Sequence, residues 1–96
     1  MMMEQVQPLK DFFSAIEKDG RISVTHIGIY AVLFRLYIER NCASPMELFS
    51  REVMPLAKIS SITTFQKCIK ELHEYGYLRY EQSFKRNRGS KVFFNT

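Results

Sequence analysis

Two clusters of side chains in the second half of the chain are equipped to hold an anion. The first lies in SSITTFQKCIKELHEYG, where Ser60 or Ser61 can cap a helix and Thr63, Thr64, Gln66, Lys67 and Lys70 fall away from its apolar residues. The second is FKRNRGS, which carries Lys85, Arg86 and Arg88, with Lys91 just beyond it. Hydroxyl and amide groups hydrogen-bond in both directions, and ammonium and guanidinium groups hold phosphates or carboxylates. The first cluster is sorted along its helix, because the acids Glu71 and Glu74 are confined to the C-terminal half. A helix start adds unpaired amides and the positive end of the macrodipole, which suits an anion near Ser61. A polar face opposite an apolar stripe is common on surface helices, so this cluster gains weight from the second. Lysines often protect a sheet edge, but four cations between Lys85 and Lys91 exceed that need.

Other chemistries lack their residues. No carboxylate pair can be placed in a cleft, no Ser-His-Asp or Cys-His arrangement has a recognisable spacing, and four scattered glycines make no phosphate loop. No catalytic residue and no enzyme activity are expected. Cys42 and Cys68 are far apart without the paired spacing of a zinc site, and neither His26 nor His73 falls at ligand spacing from them, so no metal and no cofactor are expected. His73 reads as a packing residue or a phosphate contact. Cys68 fits a widened apolar stripe, and both thiols are expected reduced, in the cytoplasm. Met1 to Met3 precede the acidic Glu4, unlike a signal peptide. The longest nearly apolar run, Ile27 to Phe34, stops at Arg35, far short of the roughly 20 residues of a membrane span. No membrane association is expected.

The 96 residues suit one domain, and 46% hydrophobic with 25% charged residues is an ordinary globular composition. The net charge of +4 is uneven: residues 1–48 hold five Lys/Arg against six Asp/Glu, and residues 49–96 hold nine against four. A basic half joined to a nearly neutral one is the footprint of a protein that turns one face to a polyanion, although acidic proteins or lipid headgroups fit the sign as well.

The elements that must position the clusters can be read in order. Residues 1–24 form a helix opened by Pro8, with Leu9, Phe12, Phe13 and Ile16 on one stripe, ended by Asp19 and Gly20 and followed by a link. Residues 25–49 form a central helix capped by Thr25 and ended at Asn41, then a connection in which Leu48 and Phe49 can pair briefly as a strand. The central helix is apolar almost all round, so it is either sandwiched within the chain or shared in a symmetric homodimer through the two N-terminal helices. In residues 50–76, Ser50 caps a short helix whose Val53, Leu56 and Ala57 face the next one, with Pro55 hinting at a later start. The longer helix follows, with Phe65, Cys68, Ile69, Leu72 and Tyr75 as its stripe and Gly76 as its left-handed end. Residues 77–96 alternate with period two, Leu78 and Tyr80 on one face and Arg79 and Glu81 on the other, and KVFFN is the antiparallel partner. The expected class is mainly α with a small β-hairpin.

Short helix, turn, long helix and basic hairpin in this order resemble the winged helix-turn-helix domain over about residues 25–95, with one extra N-terminal helix. LAKISSITTFQKCIKELHEYGYLRY is similar to the helix-turn-helix of bacterial regulators, replication proteins and short mobile-element proteins. The resemblance makes Ile59 the apolar turn residue and puts Ser61, Thr63, Thr64, Gln66, Lys67 and Lys70 at groove-facing positions. It makes Lys85, Arg86, Arg88 and Lys91 the wing. The turn lacks the family's common glycine, and Pro55 interrupts the first helix. The resemblance implies sequence-specific binding of double-stranded DNA by a non-enzymatic protein, a bacterial transcriptional regulator or mobile-element accessory protein. Its alternative is a winged-helix protein-protein interaction module.

Overall fold

In the computed structural model, which describes residues 3–85 and 87–94, four helices pack on a small three-stranded antiparallel sheet. The order is α1 (Met3–Ile16), α2 (Val24–Glu39), β1 (Met46–Leu48), α3 (Ser50–Leu56), α4 (Ile62–Glu74), β2 (Leu78–Glu81) and β3 (Ser90–Phe94). The sheet order is β1-β3-β2, so the expected hairpin gains a third strand. Met46 pairs with Val92 and Leu48 with Ser90, while Leu78 pairs with Phe94 and Tyr80 with Val92. The strand expected at Leu48 and Phe49 lies two residues earlier because Met46 and Leu48 alternate with exposed Glu47, and both are buried. No helix among the described residues is long and apolar enough to cross a membrane.

The apolar α2 is enclosed within one chain. Ile29 and Leu33 are fully buried, and Phe12 of α1 lies flat on Tyr30, centroids 3.8 Å apart with the rings within 2° of parallel. Phe94 meets Tyr30 and Phe34 edge-on at 5.5 and 5.9 Å, closing the sheet over the same helix. Burying each large side chain of this cluster contributes about 1.5–3 kcal/mol, so Phe12 is the main tie holding α1 to the rest. Leu9 and Ile16 add to it from the same stripe, whereas Phe13 is 43% exposed.

Several boundaries differ from the sequence expectation. α1 begins before Pro8 rather than at it, so that Pro8 is the sixth residue of the helix instead of its opening one. The Pro8 carbonyl accepts from the Tyr30 hydroxyl at 3.3 Å. The cap of α2 is Ser23, not Thr25: the Ser23 N–H donates to Nδ1 of His26 at 2.9 Å, a histidine taking the place usually held by Glu or Gln. Asn41 and Cys42 take left-handed φ after α2, as the expected end at Asn41 requires. α3 starts at Ser50 as a helical residue, since Glu52 accepts from the Phe49 N–H at 3.0 Å and satisfies the start one residue earlier. Pro55 falls in the last turn of α3, where little helix remains to kink. Val53 is buried and Leu56 is 42% exposed, so Leu56 does not pack under α4.

Candidate nucleic-acid interface

The turn between α3 and α4 is closed without glycine. Lys58 takes φ 61°, and the amides of Lys58 and Ile59 donate to the carbonyls of Pro55 and Met54 at 3.2 and 2.9 Å. This is the glycine-type helix ending with a lysine in the left-handed position. Ile59 packs half-buried against the core, and Ser61 then caps α4 by accepting from the Thr64 N–H at 3.2 Å. Ser61 Oγ is therefore committed to the helix start.

Phe65, Cys68, Ile69 and Leu72 anchor α4 in the core, and the helical period puts Thr63, Lys67 and Lys70 on the opposite, exposed stripe. Thr64 is exposed on one flank. Gln66 turns to the other flank, where its Oε1 is buried without a hydrogen-bond partner among the described residues. Of the two acids, Glu71 leaves the stripe for α2, while Glu74 stays exposed at its C-terminal end. The front of α4 is therefore uncharged and cationic over its first two and a half turns. Ile62, 48% exposed at the first helical position, lies on the Gln66 flank rather than on this front, and was missed in the sequence because an isoleucine is ordinarily counted as core.

The loop between β2 and β3 is pinned at its base. Ser90 Oγ accepts from the Ser83 N–H at 3.0 Å and from the Tyr80 hydroxyl at 3.3 Å. Lys85 and Arg88 are exposed on the loop, and Arg86 lies outside the described residues. Gly89 is buried against β1, so close that an added Cβ would stand 2.6 Å from the Leu48 carbonyl oxygen. Lys91 is exposed but pairs across the sheet with Glu47 on one side and Glu81 on the other. Phe84 is 89% exposed on the same loop, a second apolar residue that the sequence reading left without a role. Loop and helix share one side of the molecule: a groove of about 150 Å³ is lined by Ser50, Gln66, Lys85 and Arg88 among others.

A separate constellation brings together His26, Cys68 and Glu71, whose ligand-type atoms lie within 4.8 Å of one another. The sequence reading did not foresee it, because His26 and Glu71 are 45 residues apart. The Ser23 amide can only donate, so Nδ1 of His26 accepts and the neutral ring carries its proton on Nε2, which donates to Glu71 Oε1 at 2.9 Å. The nitrogen facing Cys68 and Glu71 is thus protonated rather than free to ligate. Burial pushes the Cys68 thiol up, away from the thiolate that ligation or nucleophilic attack needs. The arrangement is a clasp between α2 and α4.

A second clasp ties the α1–α2 link to the end of α4. Asp19 is held below the usual carboxylate range, first by the Arg21 guanidinium and then by the Tyr77 hydroxyl, which donates to it at 2.5 Å. Arg21 also lies 4.0 Å over the Tyr75 ring. His73 is exposed, with Nδ1 accepting from the Tyr80 N–H at 3.0 Å, so it links α4 to β2. Compared with known proteins, the chain matches no family model, no curated protein and no solved structure.

Proposed function

We propose that the chain is a winged helix-turn-helix protein that binds double-stranded DNA in a sequence-specific way and catalyses no reaction. In this reading α3 and α4 are the helix-turn-helix, α4 enters the major groove, and the β2–β3 loop is the wing. The observation that carries it is a groove lined jointly by Gln66, on the flank of α4 next to its exposed front, and by Lys85 and Arg88 of the loop. The element order from α2 onward, helix, strand, helix, helix, strand, strand, supports it, with α1 as the extra N-terminal helix.

The physical roles follow from residue type. A helix about 10–12 Å across fits a major groove about 12 Å wide. Thr63 and Thr64 would read base edges by hydrogen bonds or methyl contact. Lys67, Lys70, Lys85 and Arg88 would hold phosphates and supply most of the affinity. Gln66 would read a base only by swinging out of its groove, and Ser61 would contact a phosphate through its amide rather than its hydroxyl. The setting is a bacterial cytoplasm, and the role that of a transcriptional regulator or mobile-element accessory protein.

Selection from a random duplex pool tests the specificity. A consensus that changes at one or two positions in Thr63→Ala or Thr64→Ala is expected. Salt-dependent binding with no consensus would reduce the reading to non-specific DNA binding. A failure to retain any duplex at low salt would end it and favour a protein partner for the same basic loop.

A further inference from the structure

We propose that Phe84 is a wedge that enters the minor groove of the bound duplex, unstacks one base step and kinks the DNA. The inference rests on the DNA-binding reading and adds to it a deformation and a sequence preference that the cations do not supply.

A single exposed apolar side chain is ordinary, and Val24 is 85% exposed without a comparable setting. Phe84 differs in how it is held and in what surrounds it. The Ser83 N–H is fixed to Ser90, the Lys85 N–H donates to Ser83 Oγ at 3.2 Å, and the Arg88 N–H donates to the Lys85 carbonyl at 3.3 Å. Phe84 therefore sits inside the Ser83–Lys85 hydrogen-bonded bracket, immediately before the Lys85–Arg88 turn. Lys85 and Arg88 are exposed on the same loop. An apolar ring accompanied by cations matches the chemistry of a minor groove, where phosphates form the rims and stacked bases the floor. That groove is about 6 Å wide, too narrow for α4 but open to a loop tip. A ring inserted there exchanges exposure to water for stacking between bases. The step it opens most easily is pyrimidine–purine, TA or CA, so the wedge would favour such a step at a fixed distance from the bases read by α4.

The experiment uses the full chain and a duplex selected for binding, with 2-aminopurine at its central TA step and donor and acceptor dyes at its ends. Saturating wild type is expected to raise 2-aminopurine fluorescence and to shorten the end-to-end distance by an amount equivalent to a bend of about 20–90°. Phe84→Leu keeps both signals. Phe84→Ala binds with the same salt dependence yet leaves fluorescence and end-to-end distance at their free-duplex values. Wild type that binds with normal salt dependence and produces no rise, or Phe84→Ala that matches wild type, overturns the wedge and leaves DNA binding standing. Wild type that binds no duplex at low salt overturns both.

Discussion

Lys91 on β3 stands directly opposite Glu47 on β1. On its other side it pairs with Glu81 of β2, and all three side chains are exposed. Glu81 is itself engaged by Arg79, so Glu47 is the carboxylate left to offset part of the Lys91 field on this sheet face, whereas Lys85 and Arg88 protrude from a loop. Lys91→Ala is therefore expected to leave duplex affinity and its salt dependence nearly unchanged. Arg88→Ala should reduce the salt slope by about 0.9, one phosphate contact. The comparison is made by titration at several salt concentrations, and equal losses in the two variants would put Lys91 on a phosphate.

Gly89 is the point where the loop returns beneath β1. An alanine there would press its Cβ to 2.6 Å from the Leu48 carbonyl oxygen and 2.7 Å from Glu47 Cγ, and backbone atoms cannot move aside as a side-chain end does. Gly89→Ala should destabilise the fold by about 1–3 kcal/mol, the usual range for overpacking. Urea unfolding measures it, and an unchanged midpoint would mean that β1 and the loop are less closely joined.

The left-handed Lys58 is an opportunity in the other direction. Removing its Cβ relieves a steric cost of about 1–2 kcal/mol, partly offset by the greater freedom of glycine in the unfolded chain. Lys58→Gly is expected to stabilise by about 0.5–1 kcal/mol and to raise Tm by a few degrees, read by calorimetry. A lower Tm would show that the lysine side chain contributes more to the α3–α4 turn than its backbone strain takes away.

Tyr30 makes stability depend on alkaline pH. Burial, and after it the charge of Asp11, pushes its phenol up to about 12. The folded state then holds the proton more tightly than the unfolded state, whose phenol titrates near 10. The resulting stability is whole below about pH 10 and is lost as pH climbs through about 12. Burial also raises Tyr37, Tyr75 and Tyr77, so the readout is the difference between wild type and Tyr30→Phe in urea midpoint against pH. The variant should lose less stability between pH 10 and 12, and parallel curves would contradict the assignment.

What could be read from the sequence follows the range of the forces involved. The stripe of α4, its Ser61 cap and its end at Gly76 were legible because each is a local pattern within a few residues. The cap of α2 was not, since His26 completes it in place of an acidic residue or glutamine. β1 was mislocated because three residues give too short an alternation, and its pairing is set by β3 some 44 residues later. On α4 the helical period fixes the angle at which Gln66 and Glu71 leave the axis. Whether those flanks are covered depends on the β2–β3 loop and on α2, which no window around α4 contains. Ile62 and Phe84 escaped for the opposite reason, since type alone assigns them to a core that the fold does not extend to them.

The most direct test is fluorescence anisotropy of a labelled duplex pool at two or more salt concentrations, with wild type beside Lys67→Glu/Lys70→Glu and Lys85→Glu/Arg88→Glu. With Lys67, Lys70, Lys85 and Arg88 each on a phosphate, log affinity should fall with log salt at a slope of about 3–4, and each double reversal should abolish binding at moderate salt. Both variants alter exposed residues and should unfold like wild type. Absence of wild-type binding at low salt, or binding that neither reversal weakens, would contradict a DNA interface built from α4 and the loop.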